Sequence, residues 1–530
     1  MTSNPGPASG ASGHALLEAA GTQRPGPGSD QHEHALLLDR RRSTALLPGT
    51  ALLGLFGSLV LTIMAVGAGG ILVNDPLIDG GPLSWIRYGH GHDLATVGLY
   101  AGVGMIVWAW VRLGREVLSG TATAQQVTVA GVAWVTPLVL SPPLFTRDVY
   151  SYLAQGALAL RGLDPYLVGP SKLPPGAVAD NVHYVWQTTP APYGPLFIFI
   201  AKMMNAATGD HLILGVIGMR LVLLSGLAAL IFALPRLAQR LGGDPTVALW
   251  LVIANPLTVV HLVGGPHNDL LMTGLLAMGT LLVLERRPAA GIALGTMAMA
   301  IKASAGIALP FLVAIWAARL PGPRSTQLLR ALAGSLAVFA TMFTGITLVS
   351  GVGLGWVPAL DAPSLIVNWM SLPTATGELA HALVTPFAHV SDHPFIMVSR
   401  LLGSAVFLAI FGRQWWLARD GGPRTIGRAS AALLWAALLA PATLPWYLSW
   451  ALVLGAVLPW PRRRLAWVIA GSTWLVLCTY PTGESAFTAW PYQLAMVAVS
   501  LLAATSLLRP DPLGLRARVP FIRPARAATT

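Results

Sequence analysis

Long apolar runs follow one another along most of the chain and constrain its fold more than any other feature. The first run covers residues 49–73, and comparable runs recur as far as residue 508. Of the 530 residues, 54% are hydrophobic and only 10% are charged. A single soluble core cannot hide so much apolar surface, whereas a bilayer accepts it as spanning helices of roughly 20 residues. The sequence therefore predicts an all-α polytopic membrane protein.

Two polar ends flank this predicted transmembrane domain, which covers residues 43–508. Residues 1–42 are rich in Gly, Pro, Ala and Ser and lack the basic-then-apolar order of a cleaved signal peptide, so we expect a disordered cytoplasmic tail. Residues 509–530 are expected to form a basic cytoplasmic tail. Cys478 is the only cysteine in the chain, which excludes a disulfide framework and a cysteine-rich metal site.

The basic residues indicate an orientation in the membrane. Arg40, Arg41 and Arg42 precede the first apolar run, so that helix is expected to start in the cytoplasm. If 193–209 lies in the interface instead of crossing, about 25 of the 33 Lys and Arg residues fall on the cytoplasmic side. This gives about fourteen transmembrane helices, both termini inside, and interfacial helices in an external loop at 146–210. The net charge of +12 then reflects topology, and no nucleic-acid partner is expected.

Polar residues gather on the predicted outer side, and Asp148 is the strongest candidate among them. It follows Pro142-Pro143 at the predicted bilayer surface. A carboxylate beside apolar walls is expected to have a raised pKa and to act as a base toward a hydroxyl. The alternative is that Asp148 caps a helix at 149–161, with Arg147 as a surface ion pair.

A second polar group follows a very short turn, where Gly264-Gly265-Pro266 leads into His267, Asn268 and Asp269. Turn chemistry and a helix N-cap explain the Gly and Pro residues and one of the polar ones. They do not explain three polar side chains in a row, which favours a functional role.

Lys302 and Arg220 lie inside apolar runs, where a cation costs at least about 2.5–3.5 kcal/mol at the bilayer centre. Snorkelling to the interface is one explanation. The other is an anion held at membrane depth, such as a lipid phosphate. The small residues 303–306 leave room for a headgroup beside Lys302.

The motifs of several common enzyme classes are absent from the sequence. It contains no P-loop, no Rossmann glycine pattern and no zinc-type His-Glu-x-x-His, which argues against nucleotide hydrolysis, dinucleotide redox and metalloprotease chemistry. No cofactor or metal is predicted. Many of the 18 tryptophans fall at predicted interfaces, where anchoring competes with stacking on a sugar face.

Several outer motifs resemble one known family, the actinobacterial polyprenyl-phosphate-mannose-dependent α-1,6-mannosyltransferases. The motifs that carry this resemblance are 84–91, 141–156, 162–170, 191–196, 254–257, 264–268 and 301–311. The resemblance extends over roughly 50–505 and includes neither tail.

This resemblance implies a GT-C fold with an external active site in the plasma membrane. Such enzymes carry an essential acidic residue in an early external loop, a position that Asp148 matches. In many members that loop follows the first helix, so Asp75 is a secondary candidate for the base, with Asp79 in the same loop.

The implied reaction transfers mannose from polyprenyl-phosphate-mannose, with inversion, to the 6-hydroxyl of a lipid-anchored α-1,6-mannan, as in the core of lipomannan and lipoarabinomannan. Residues expected to bind the donor phosphate are Lys302, Arg220 and Arg147. Residues expected to bind sugar or acceptor are Tyr193, His267, Asn268, Asp269, Tyr152 and Trp369.

Other functions stay open at this point. An arabinosyltransferase or a protein O-mannosyltransferase is possible, because acceptor choice is poorly encoded in these motifs. A lipid-linked sugar transporter or flippase is disfavoured, since no inverted repeat is found and the polar clusters do not lie centrally.

Overall fold

A computed structural model describes residues 49–70, 72–73, 75, 81–82, 84–509 and 511–514. The predicted tail at 1–42, most of the tail at 509–530, and Asp79 lie outside the described residues.

The described part of the chain is helical and contains no β-strand. Its twenty α-helices are α1 Gly49–Ala68, α2 Gly89–Leu118, α3 Ala124–Val135, α4 Asp148–Leu160, α5 Ala177–Asp180, α6 Tyr184–Gln187, α7 Pro195–Thr208, α8 Leu212–Leu241, α9 Pro245–Val252, α10 Asp269–Leu284, α11 Pro288–Ile301, α12 Leu309–Ala317, α13 Arg324–Ser350, α14 Trp356–Ala359, α15 Leu372–Val384, α16 His393–Ala418, α17 Thr425–Leu439, α18 Leu448–Gly455, α19 Arg462–Leu477 and α20 Trp490–Leu508. The prediction of an all-α protein is confirmed.

Six helices are long and apolar enough to cross a membrane by length and composition, namely α1, α2, α8, α13, α16 and α20. Their apolar surface is largely turned outward: only 11% of the spanning window is buried in α13 and in α16. Water does not tolerate such exposed apolar surface on a chain of this size, whereas lipid does. The chain is therefore a membrane protein.

Two of the apolar segments are interrupted. The segment 245–264 consists of α9 followed by a π-helix at Leu257–Gly264, with a bend of 51° between them. Pro256 lacks an N–H for the helical ladder, and Asn255 accepts a hydrogen bond from the Leu257 N–H in place of a backbone carbonyl. The segment that begins with α3 likewise leaves the α-helix after Val135, just before Pro137.

Helix α7 occupies the segment that we expected to lie in the interface. It has 14 residues, which at 1.5 Å per residue gives about 21 Å, less than the hydrocarbon core of about 30 Å. Helix α10 is largely enclosed, with 12 of its 16 residues buried. Because α10 begins at Asp269, this packing holds a carboxylate in the interior of the protein.

Candidate active site

Two loops lie back to back and bring the first candidate residues together. The Leu144 N–H donates to the Gly264 carbonyl at 3.2 Å. A Cβ on Gly265 would lie 2.5 Å from the Leu144 carbonyl oxygen, so only a residue without a side chain fits there. As a result Asp148, the first residue of α4, faces His267, which precedes α10.

Asp148 Oδ2 and His267 Nε2 lie 3.5 Å apart and form an ion pair when the imidazole is protonated. The His267 Nδ1 lies 2.7 Å from the His261 carbonyl oxygen. Because a carbonyl oxygen only accepts, Nδ1 carries a hydrogen and Nε2 faces the carboxylate. The imidazole stacks on Trp446 at 3.6 Å between ring centroids. His267 is fully buried, while the Asp148 side chain keeps 18% exposure and can be reached from outside.

The Asp148 side chain does not cap α4. Arg147 occupies the N-cap position without a side-chain cap, and the Asp148 N–H donates to Thr146 Oγ1 at 3.1 Å. Burial favours a raised pKa of the Asp148 carboxyl, but the hydrogen bond from His267 and the charges of His267, Lys302 and His183 outweigh it and lower the pKa below 3.8. The expectation of a raised pKa is wrong, because it considered the apolar walls without these cations. The carboxylate is ionised at neutral pH and is able to accept a proton.

Lys302 and Asp269 form a buried ion pair deeper in the protein. Lys302 Nζ lies 2.9 Å from each carboxylate oxygen of Asp269, and the Trp450 Nε1–H also donates to this carboxylate. The ammonium lies over the rings of Tyr447 and Trp450, 4.4 and 5.4 Å from their centroids. Asp269 is completely buried and Lys302 is 13% exposed. The predicted phosphate ligand Lys302 thus already has a compensating charge.

Tyr152 and Tyr193 form an aromatic wall near these charges. Their rings pack edge to face with centroids 5.2 Å apart. A Cβ on Gly194 would lie 2.3 Å from the Ala300 carbonyl oxygen, so this glycine lets the turn before α7 rest directly on the end of α11. Burial first, and then the negative charge of Asp148, raise the pKa of Tyr193. Its phenol therefore stays protonated and can donate a hydrogen bond.

Asn268 carries an unpaired amide in the interior. The side chain is 0% exposed, and neither its Nδ2 nor its Oδ1 has a hydrogen-bond partner within the described residues. It occupies the N-cap position of α10 but makes no side-chain cap. Because a buried unpaired amide is costly, this group is suited to a polar ligand that supplies the missing hydrogen bonds.

Arg220 is kept away from these groups. It is completely buried in α8, and its guanidinium donates to four backbone carbonyls, those of Val139, Ser141, Val263 and Gly264, at 2.7–2.9 Å. These carbonyls belong to the stretches that lead to Asp148 and to His267. The structure therefore uses Arg220 to brace the two loops and leaves it little capacity to bind a phosphate.

Of the three remaining candidate residues, only Arg147 lies at the cavity beside Asp148. Arg147 lines a cavity beside Asp148 and donates to the Asn181 carbonyl at 2.8 Å. Asp75 is buried and pairs with Arg87 at 2.5 Å. Trp369 is 40% exposed and is not part of the cavity wall as far as the described residues define it.

The cavity beside Asp148 has a volume of about 270 Å³. Five separate parts of the chain form its wall, at 145–148, 183–186, 365–368 with Met370, 443–446, and 482–485 with Thr479. A site of this kind, assembled from loops and lined by both aromatic and polar groups, is suited to a small polar ligand. Across the described residues, no group of three or more His, Cys, Asp or Glu side chains is placed to hold a metal ion.

The structure adds two aromatic residues to the site that the sequence did not reveal. Tyr184 and Trp186 line the cavity from α6. Glu484, one of the polar residues expected on the outer side, lines it from the turn before α20. Tyr184 is 70% exposed although it is aromatic. An aromatic pair two residues apart in a polar loop was the available signal, but the same pattern is typical of interfacial anchors.

Comparison with known proteins places the chain among mannosyltransferase-like sequences. Residues 51–318 match the family described as alpha-(1->6)-mannopyranosyltransferase, N-terminal domain, and residues 373–509 match the MptB C-terminal domain. The chain is 41% identical over 479 residues to alpha-(1->6)-mannopyranosyltransferase A of Mycobacterium tuberculosis, which covers 89% of this chain and 93% of the relative.

Two relatives from Corynebacterium glutamicum are similar at lower identity. Alpha-(1->6)-mannopyranosyltransferase A is 31% identical over 84% of this chain and 94% of the relative. Alpha-(1->6)-mannopyranosyltransferase B is 31% identical over 82% of this chain and 76% of the relative. No solved structure matches the chain significantly.

Proposed function

Because the chain belongs to the alpha-(1->6)-mannopyranosyltransferase family, we propose that it transfers mannose from polyprenyl-phosphate-mannose to the 6-hydroxyl of a growing α-1,6-mannan. The observation that carries this proposal is the ionised Asp148 carboxylate at the wall of an open cavity, paired with His267. A carboxylate within reach of a bound hydroxyl is the group that such a transfer requires.

The chemistry needs one base and one displacement. Asp148 accepts the proton of the acceptor 6-hydroxyl as that oxygen attacks the anomeric carbon of the donor mannose. The bond from the anomeric carbon to the phosphate oxygen breaks, and its electron pair leaves with polyprenyl phosphate. A β-linked donor thereby gives an α-linked product. The leaving group, polyprenyl phosphate, is a phosphate monoester and a weakly basic anion, so no general acid is required.

His267 keeps the base in position throughout this step. Its Nδ1–H is held by the His261 carbonyl and its ring by Trp446, so Nε2 stays directed at Asp148. His267 is thus a positioning residue for the base, and not a direct sugar ligand.

Arg147 is the principal cation proposed for the donor phosphate. One guanidinium N–H is used by the Asn181 carbonyl, and Nε has no partner among the described groups. Lys302 uses two of its donors on Asp269 and keeps a third for the phosphate or the sugar. Arg220 is left out of the donor site, since four carbonyls occupy its guanidinium.

The sugar of the donor is proposed to lie between Asp148 and the Lys302–Asp269 pair. Tyr193 and Tyr152 face this region with protonated phenols. Asn268, the residue after His267, offers a side-chain amide whose hydrogen bonds are unmade among the described residues. Hydrogen bonds from these groups to hydroxyls of mannose would orient its anomeric carbon.

An external location and a GT-C fold of about fourteen spans are part of the same proposal. Helices α8, α10 and α19 carry arginines at or just beyond one end, at Arg240, Arg287 and Arg462. His267 precedes the opposite end of α10, and Lys302 follows the end of α11 that is remote from Arg287. Asp148 lies 3.5 Å from His267 and therefore on the same side. The positive-inside tendency then supports a site on the non-cytoplasmic face of the plasma membrane, with both termini inside.

A membrane transfer assay tests the donor and the product. Protein in nanodiscs is supplied with polyprenyl-phosphate-[¹⁴C]mannose and a short α-1,6-mannoside, and the linkage of the labelled product is determined. We expect α-1,6-linked mannose from the lipid donor and none from GDP-mannose. Transfer from GDP-mannose would refute the donor assignment, and transfer only from a polyprenyl-phosphate-arabinose would make the chain an arabinosyltransferase.

A further inference from the structure

The outer rim of the cavity has a composition that the donor does not explain. Tyr184 and Trp186 from α6 line it on one side, and Glu484 lines it on another. Tyr184 keeps 70% exposure, and its ring contacts the His183 ring at 4.4 Å. Tyr184 therefore presents a free aromatic face at the edge of a polar cavity.

Glu484 lies at the mouth of the cavity, next to His183. Its Oε1 lies 3.7 Å from His183 Nε2, and the Glu484 side chain is 59% exposed. Pairs as exposed as this contribute little to stability, because water and salt screen them. The Glu484 carboxylate therefore keeps most of its acceptor capacity, and its oxygens can accept further hydrogen bonds.

This rim is adjacent to the base. A Cβ on Gly483 would lie 3.4 Å from the Thr146 Cα, so the turn that carries Glu484 packs against the loop that leads to Asp148. A ligand on the rim thus projects one end toward the Asp148 carboxylate, which forms part of the same cavity wall.

The chemistry of the rim selects a neutral polyhydroxylated ligand. Aromatic rings contact the C–H face of a sugar ring, and a carboxylate accepts hydrogen bonds from a pair of hydroxyls. A phosphate group on the rim would be repelled by Glu484, so the donor phosphate is assigned to Arg147, elsewhere on the same cavity wall. The cavity of about 270 Å³ is at the small end of ligand pockets and has room for the end of an oligosaccharide.

We infer that Tyr184, Trp186 and Glu484 form the binding subsite for the terminal hexose of the neutral acceptor, with His183 next to the Glu484 carboxylate. This inference rests on the proposed function and deepens it, because it gives donor and acceptor opposite sides of Asp148. The lipid-phosphate sugar occupies the inner side, and the acceptor enters from the rim.

Two rim variants and one matched control test the subsite. Tyr184→Ala and Glu484→Gln change exposed side chains and are expected to leave folding intact. Tyr88→Ala removes a tyrosine that is 53% exposed and lies outside the cavity wall. Binding of a methyl α-1,6-mannobioside to the protein in nanodiscs is measured by saturation-transfer NMR without donor, and KM is measured separately for acceptor and donor.

We expect each rim variant to raise the acceptor KM, and to weaken mannobioside binding, by about fivefold or more. The donor KM and the Tyr88→Ala values should match wild type. Unchanged acceptor KM in both rim variants, or a change confined to the donor KM, would overturn the subsite.

Failure of the subsite and failure of the proposed function give different results. Tyr184-dependent mannobioside binding without any mannosyl transfer by wild type would support the subsite and refute the transferase. Transfer at wild-type acceptor KM in both rim variants would do the reverse.

Discussion

Lys302→Met removes the positive partner from a buried ion pair and is expected to destabilise the protein strongly. Asp269 is 0% exposed and Lys302 13%, so solvent screens the pair little. Both carboxylate oxygens lose a 2.9 Å contact, and only the Trp450 hydrogen bond is left to balance the charge. Breaking a buried pair by removing one partner costs about 3–5 kcal/mol.

The double variant Asp269→Asn/Lys302→Met separates the pair from simple loss of packing. It removes both charges together, and Asn keeps an acceptor for the Trp450 N–H. We therefore expect most of the lost stability to return, since replacing a whole buried pair is often close to neutral. The free energy of unfolding is measured for wild type, both single variants and the double variant in mixed micelles with increasing SDS.

The four free energies form a double-mutant cycle. We expect a coupling energy of about 2 kcal/mol or more between Asp269 and Lys302. Loss of less than about 1 kcal/mol in Lys302→Met, with no coupling in the cycle, would refute the conclusion that the pair is buried and tightly held.

Three further changes follow from the geometry. Gly194→Ala places a Cβ 2.3 Å from the Ala300 carbonyl oxygen and should lower both thermal stability and mannosyl transfer. Gly353→Ala is the control, because a Cβ on Gly353 would meet open space. Equal stability and transfer in the two variants would contradict the close packing at Gly194. Arg220→Met leaves four carbonyls without their donor and should lower the unfolding temperature markedly, whereas a stable variant that lost only donor affinity would restore Arg220 to the phosphate site. The pKa of Asp148 is lowered below 3.8, so the ionised carboxylate stabilises the fold above pH 3.8, and this stabilisation is lost as the pH falls through the lowered pKa. The acid limb of kcat/KM should therefore lie below pH 3.8. An acid limb near pH 6 would contradict this assignment.

Local sequence was sufficient to predict most helices and two of the polar loops. The apolar runs set the helices, and the exclusion of polar groups from lipid left Asp148, His267 and Lys302 as candidates. Pro256 was visible in the sequence, but the run around it is long enough to suggest an unbroken span, so the π-helix was not predicted.

The roles of the candidates depended on contacts that sequence spacing does not contain. Arg220 binds carbonyls 43 and 81 residues away in sequence, and backbone carbonyls leave no residue-specific signal. Lys302 pairs with Asp269, 33 residues away in sequence. The residue that we expected to be a free cation is therefore a member of an ion pair. The rim aromatics Tyr184 and Trp186 have the composition of membrane anchors, and only the cavity distinguishes them.

The most direct test of the central claim is mannosyl transfer by Asp148→Asn. The protein is assayed in nanodiscs with polyprenyl-phosphate-mannose and an α-1,6-mannoside, beside wild type and Asp210→Asn, whose carboxylate is 85% exposed. We expect Asp148→Asn to keep its fold and lose transfer by about 10²–10⁴-fold, while Asp210→Asn stays at the wild-type rate. Wild-type transfer by Asp148→Asn would contradict the account and direct attention to Asp75 as the base.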